Sequence, residues 1–155
     1  MAFADDAVEI RAQGWLRVAL FHALLERSLE TALQDAVGLS ASEYTVLEVL
    51  SRQRGVHHMR MHQLSRATAM SQSATTRLVN RLEARGYLAR FLCVDDRRGI
   101  YTELTDSGTE LLAKARPVHD NALLSALAEA EALPELVPLL DLFGPRPQQP
   151  GPGEE

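Results

Sequence analysis

The fold is decided by the segment Ser71–Leu88, which reads SQSATTRLVNRLEARGYL. Serine is favoured as the residue that caps a helix N-terminus, and Gly86 is typical of the position just after a helix ends. Between them, the small and aliphatic residues Ala74, Leu78, Val79 and Leu82 recur at helical spacing. The pattern predicts a helix that runs to Arg85 and packs these residues inward. The opposite face then carries polar and basic side chains, namely Gln72, Ser73, Thr76, Arg77, Asn80 and Arg81.

A shorter helix is predicted just before this one. Met61, Leu64 and Ala67 indicate a helix over about 61–67, and the sequence Thr-Ala-Met-Ser at 68–71 breaks it. Two helices joined by a tight turn, the second capped by serine, describe a helix-turn-helix. The outer face of the second helix can enter a DNA major groove, about 12 Å wide, where Gln, Ser, Thr and Arg bond base edges. Double-stranded DNA is therefore the expected partner.

After Gly86 the sequence changes to a pattern typical of strands. Residues 88–94 and 100–104 are β-prone runs joined by Asp-Asp-Arg-Arg-Gly at 95–99, which predicts a two-stranded wing. Arg97 and Arg98 at its tip can reach a minor groove, where narrow A·T stretches attract guanidinium groups. Asp96 is placed to accept a bond from Arg98 and hold it extended.

The segment before the helix-turn-helix is predicted to contain two helices. Two leucine-rich rows at i, i+4 spacing indicate a long helix over 7 to about 36, ended by Gly38. Ser40 and Glu43 have the spacing of a capping box, which predicts a helix over about 41–53. Residues 52–58 are expected to form a turn.

The segment after the wing is also predicted to be helical. Thr105 is the expected cap of a helix in which Pro117 kinks or interrupts the hydrogen-bond ladder. The stretch 122–143 is rich in leucine; there Pro134 fits a helix start and Pro138 is expected to bend the last helix. Residues 144–155 are rich in Pro and Gly and are expected to be disordered. The predicted architecture is mostly α with a small β-wing, as one domain over 1–143.

Charge is distributed unevenly along the 155 residues. The net charge is −5, yet residues 52–98 contain ten arginines and three carboxylates, a local charge of +7, against −12 for the rest. A basic segment within an acidic protein suits a polyanion-binding face.

Composition and motifs argue against other classes of protein. The apolar runs are too short for a membrane-spanning helix, and the first six residues lack the features of a signal peptide, so a cytoplasmic location is expected. Cys93 is the single cysteine and cannot form an internal disulfide. There is no nucleophile–base pair, no glycine-rich phosphate loop and no metal-ligand cluster. We therefore expect no catalytic activity, no cofactor and no metal.

The middle of the chain resembles the MarR (multiple antibiotic resistance regulator) family of winged-helix transcription factors. The resemblance rests on LSASEY before Val46, on MHQL at 61–64, on the segment Ser71–Leu88, and on DDRRGIY at 95–101 followed by LTDSG at 104–108. These motifs occur in the family's order over roughly 39–116. One departure is His62, which stands where a Ser or Thr helix cap is common.

The resemblance implies a function and an assembly. It implies a homodimer formed by helices at about 7–36 and 106–143, with two recognition helices on successive major grooves of an inverted-repeat operator. Arg98 would be the wing-tip arginine and Asp96 its support. Family members commonly release DNA when a small, often aromatic and anionic, compound binds, and the plausible lining residues here are Arg11, Trp15, His22 and Tyr44. The regulator is expected to be a repressor.

Two other binding functions remain open on the sequence alone. One is a winged-helix interaction module or antirepressor that has lost sequence readout, and the other is an architectural DNA binder with little sequence preference. Retained Gln72, Thr76, Arg77 and Arg98 argue against the first. The ratio of operator affinity to random-DNA affinity distinguishes the second from a sequence-specific regulator.

Overall fold

The computed structural model describes residues 2–53, 58–92 and 99–144, with side chains from residue 6 onward. The described residues form helices, three strands and a short 3-10 helix. The helices are α1 (Ala2–Val37), α2 (Ala41–Ser51), α3 (Met61–Ala67), α4 (Gln72–Ala84), α5 (Asp106–Glu131), α6 (Val137–Leu140) and the 3-10 helix (Asp141–Phe143). The strands are β1 (His58–Arg60), β2 (Leu88–Leu92) and β3 (Ile100–Leu104).

The helix boundaries follow the capping residues. Gly38 has φ +67°, as expected for the left-handed residue after a helix. The Ser40 hydroxyl accepts from the Glu43 N–H, and the Glu43 carboxylate accepts from the Ser40 N–H, both at 3.0 Å. At the start of α5, Thr105 Oγ1 accepts from the Gly108 N–H at 3.0 Å. The predicted caps of α2 and α5 are therefore confirmed.

The sheet differs from the predicted two-stranded wing. β1 pairs antiparallel with β3, so the described strands are ordered β1-β3-β2. His58 therefore belongs to a strand and not to the turn predicted over 52–58. A strand of three residues is too short to show the alternation of apolar and polar residues that marks a strand. Its partner β3 is distant in sequence, with His58 opposite Glu103, so no local pattern could predict β1.

The prolines also differ from expectation. Pro117 was expected to kink or interrupt its helix; α5 is not interrupted there, although proline has no N–H to donate to the preceding turn. Pro134 lies in the turn between α5 and α6, so it does not start a helix. Pro138 occupies the first turn of α6, where a missing N–H costs nothing, so it helps to start that helix instead of bending it.

The chain divides into two compact units. One comprises residues up to Leu29 together with those from Asp120 onward, and its core contains Phe21, Leu127, Leu136 and Leu140. The Phe21 and Phe143 rings meet edge to face with centroids 5.8 Å apart. Among the described residues, no helix has both the length and the apolar character needed to cross a bilayer.

The other unit, Glu30–His119, holds the helix-turn-helix and the wing strands. Its core is made mostly of leucines and valines contributed by α1 to α5 and by β2. The fully buried members include Leu47, Leu50, Leu64, Val79, Leu82 and Leu112. α1 and α5 each contribute residues to both units, so the two units share two continuous helices.

Candidate nucleic-acid interface

Helix α4 has one buried face and one exposed face. Leu78, Val79 and Leu82 are buried as predicted, whereas Ala74 is only half-buried. Thr75 is fully buried, which the apolar pattern missed because threonine reads as polar; its hydroxyl donates to the Ser71 carbonyl at 2.9 Å and is thereby satisfied. All six side chains predicted for the outer face are exposed, namely Gln72, Ser73, Thr76, Arg77, Asn80 and Arg81.

The turn before α4 is held by specific backbone bonds. The Ser71 hydroxyl accepts from the Ala74 N–H at 3.2 Å, so Ser71 is the N-cap, as predicted. Ala69 adopts φ +53°, a left-handed conformation that is unusual for a residue with a Cβ. The Met70 N–H donates to the Ser65 carbonyl at 3.1 Å, which closes the turn onto α3. Together these contacts fix where α4 begins relative to α3.

The other end of α4 is tied to α2 through Glu43, a contact that the sequence did not predict. This carboxylate is buried, with the whole residue 6% exposed. Its Oε1 accepts from Arg81 Nε at 3.2 Å, and its Oε2 lies 3.5 Å from an Arg85 Nη atom. Arg85 also donates to the Gly38 carbonyl at 2.9 Å. The Glu43 carboxylate thus joins the start of α2 to the end of α4, and Arg85 extends the contact to Gly38 just after α1.

The strands next to the wing tip are anchored to α4 by an ion pair. Arg90 of β2 donates from Nε to a Glu83 carboxylate oxygen at 3.0 Å, and one of its Nη atoms contacts the same oxygen. This hydrogen bonding lowers the pKa of Glu83 and raises that of Arg90, so the pair stays ionised at neutral pH. Asp96, Arg97 and Arg98 of the predicted wing tip lie outside the described residues, as does Cys93 of the predicted strand before it.

A groove of about 360 Å³ runs beside the exposed face of α4. It is lined by residues from the end of β1, from α3 and α4, and from the start of β3, namely Arg60, Met61, His62, Ser65, Gln72, Thr76, Gly99 and Ile100. Arg60 is the N-cap residue of α3 and donates from Nε to the Tyr101 hydroxyl at 3.1 Å. Two of the predicted readout residues therefore lie in a concave surface. Arg60 was not predicted to line this surface, because it lies on β1, whose pairing with the distant strand β3 has no local signal in the sequence.

The residues expected to line an effector site belong to different units. Arg11, Trp15 and His22 are exposed residues of α1 in the first unit, and His22 Nδ1 lies 3.5 Å from a Glu26 carboxylate oxygen. Tyr44 belongs to the second unit and is buried. Its ring stacks on the ring of His119 with centroids 4.3 Å apart.

Comparison with known proteins decides the family. The sequence model of the MarR family matches residues 37–99, which include the helix-turn-helix and the start of the wing. AbsC, a MarR family transcriptional regulator from Streptomyces coelicolor, is 32% identical; the alignment covers 84% of this chain and 88% of AbsC, with a TM-score of 0.68. This chain belongs to the MarR family.

Two further relatives agree with this assignment. The MarR family regulator Sco3205 from Streptomyces coelicolor, solved in complex with DNA, is 28% identical to this chain with a TM-score of 0.67, covering 84% of this chain and 89% of Sco3205. The uncharacterized helix-turn-helix transcriptional regulator YkoM from Bacillus subtilis is 31% identical over 77% of this chain and 75% of YkoM. The chain is thus a MarR family transcriptional regulator with a winged helix-turn-helix.

Proposed function

We propose that this MarR family protein is a homodimeric repressor that binds an inverted-repeat operator. The observation that carries the proposal is the exposed face of α4. Six polar or basic side chains project from it, opposite a stripe that is buried in the core. Base edges in the major groove are bonded by four of these side chains, Gln72, Ser73, Thr76 and Arg77. The nearby phosphates of the DNA backbone are bound by Asn80 and Arg81.

The wing extends the proposed contact to a minor groove. Arg97 and Arg98 follow β2, whose position beside α4 is fixed by the Arg90–Glu83 pair. A guanidinium at the tip would enter a narrowed groove, with Asp96 holding Arg98 extended. Sequence-specific contact would come from α4, and the wing would add affinity and a preference for A·T flanks.

Dimerisation is proposed to use the flanking helices. Several large apolar side chains of α1 are exposed in the single chain, among them Trp15 and Leu16 at 69% and 65%. A monomeric protein seldom exposes this many large apolar side chains on one helix. A two-fold dimer covers these side chains and presents two copies of α4, which would bind half-sites about 34–36 Å apart.

A footprint on the intergenic DNA flanking the gene tests this proposal. The expected result is one protected region with two-fold symmetry, whose half-sites are centred about one helical turn apart. Repression follows if the site overlaps a promoter. Uniform protection without a preferred site indicates an architectural DNA binder, and no protection above the nonspecific background indicates an interaction module without readout. Either of these results overturns the proposal.

We also propose that a small aromatic anion controls operator binding. Such an effector acts only if it binds a DNA-incompetent dimer more tightly than the competent one, because equal affinity shifts no equilibrium. Arg11, Trp15, His22 and Tyr44 are the candidate contacts. Titrating phenolic acids while following Trp15 fluorescence and operator binding tests this, and the absence of any response across a broad panel contradicts it. The role that we propose for the protein is regulatory and not catalytic. We propose that it acts on chromosomal DNA in the cytoplasm.

A further inference from the structure

We propose that Glu43 is a positioning residue for DNA binding, which holds Arg81 in the orientation that contacts a backbone phosphate. The inference rests on the proposed function, because it assigns a role to one contact within that interface. Glu43 lies on α2 and is itself buried, and the capping box explains only part of its contacts. Its remaining contacts are with two arginines of the helix that is proposed to enter the groove.

The arginine is shared between the buried carboxylate and the surface. The Arg81 side chain is 59% exposed, while that of Glu43 is 7% exposed. The bond to Glu43 uses Nε, and a guanidinium has five N–H donors in a planar fork. Arg81 can therefore bond Glu43 and a phosphate oxygen at the same time, with the plane of the guanidinium set by the first bond.

The charge balance favours a second anion at this place. Glu43 contributes one negative charge, and Arg81 and Arg85 contribute two positive charges within 3.5 Å of it. Arg85 is further fixed by the Gly38 carbonyl and by its position over the Tyr87 ring, 5.1 Å from the centroid. With Arg85 committed to these contacts, the surplus positive charge is carried mainly by the more exposed Arg81.

Because Glu43 orders the Arg81 side chain before DNA binds, the entropic cost of binding is smaller. A long side chain loses rotamer freedom when it binds, and a side chain already ordered by Glu43 loses less. Removing Glu43 also removes a negative charge near DNA, which by itself would strengthen binding. The two roles of Glu43 therefore predict opposite changes in affinity: loss if it positions Arg81, gain if it only repels phosphate.

A double-mutant cycle measured with the duplex found by footprinting tests the inference. Folded full-length Glu43→Gln is expected to weaken operator binding about threefold to tenfold. Arg81→Ala is expected to weaken it by at least as much, and the double variant should bind like Arg81→Ala alone. Wild-type or tighter binding by Glu43→Gln, or additive losses in the double variant, overturns the inference.

A second variant keeps the test decisive if Glu43→Gln does not fold. Arg81→Lys retains the charge and leaves Glu43 in place, but a lysine has no fork that can bond two partners in a fixed geometry. Arg81→Lys is expected to weaken operator binding, and the change in log Kd should be at least half of the change caused by Arg81→Ala. Wild-type affinity in Arg81→Lys overturns the inference. Failure of the wild-type protein to prefer any duplex over random DNA overturns the proposed function instead.

Discussion

At the scale of single residues, Gly108 lets α5 pack tightly against the backbone of Tyr87, just before β2. A Cβ at this position would overlap the carbonyl oxygen of Tyr87 and come within 3.1 Å of the Leu104 side chain. The same Tyr87 carbonyl accepts from the Thr105 N–H at 3.2 Å. Glycine is therefore required here for space, because a Cβ could fit only if backbone moved.

Gly108→Ala is expected to destabilise the fold by about 1–3 kcal/mol, because the added methyl group must displace backbone. Gly14→Ala is the matched control, since a Cβ at Gly14 meets nothing within 4 Å and lies inside α1. It is expected to stabilise by about 0.5–1 kcal/mol through helix propensity. Urea unfolding of both variants measures the difference, and equal effects of the two substitutions would contradict the steric argument.

Glu48 links stability to pH. Burial of this carboxylate raises its pKa, but hydrogen bonds from Arg52 and Arg116 lower it by more, so the folded pKa lies below the ordinary value of 4.5. The interaction of ionised Glu48 with the two arginines therefore stabilises the folded state fully above pH 4.5. This stabilisation is lost as the pH falls through the folded-state pKa.

Glu48→Gln is expected to lower the free energy of unfolding by about 1 kcal/mol at pH 7, because a neutral amide with one acceptor oxygen replaces the carboxylate that both arginines bond. The difference from wild type should shrink as the pH falls below 4.5. Urea unfolding over a pH series measures it. A difference that stays constant from neutral to acid pH would assign the loss to packing and not to the ionised carboxylate.

At the scale of elements, local signals predicted most of the fold. Caps and hydrophobic periodicity predicted α1 to α5, β2 and β3, because each signal lies within a few residues of the element that it marks. β1 was missed since its hydrogen bonds depend on β3, a long-range partner. The ion pair of Glu43 and Arg81 was missed for the same reason: 38 residues separate them, and nothing local to either residue indicates the other.

The wing gives a prediction at the same scale. Arg98→Ala is expected to weaken operator binding and, if Arg98 neutralises one phosphate as well as entering the minor groove, to reduce the slope of log K against log salt by about 0.9. Fluorescence anisotropy at several salt concentrations measures both quantities. Wild-type affinity together with a wild-type slope would remove the wing from the interface.

At the scale of the whole molecule, DNA binding is expected to depend on dimerisation. Leu16→Glu places a charge on an apolar residue of α1 that is 65% exposed in the single chain. Burying that carboxylate against a partner is unfavourable, so the variant should become monomeric at micromolar concentration and lose operator binding. Gln13→Glu is the control, because an exposed polar residue of the same helix becomes the same acid.

Light scattering after gel filtration reports the oligomeric state of both variants. Gln13→Glu is expected to remain dimeric with wild-type affinity. A wild-type protein that is monomeric and still binds the operator would contradict the role given to α1. So would a Leu16→Glu variant that remains a dimer.

The central claim is that the exposed face of α4 reads operator sequence, and the ratio of operator to random-duplex affinity tests it most directly. Arg77→Ala is expected to lower operator affinity by about 1–3 kcal/mol and to lower random-duplex affinity far less. Lys114→Ala, which removes one exposed cation from α5, is expected to leave the ratio unchanged. A ratio that is unchanged in Arg77→Ala, or reduced equally in Lys114→Ala, would contradict the account.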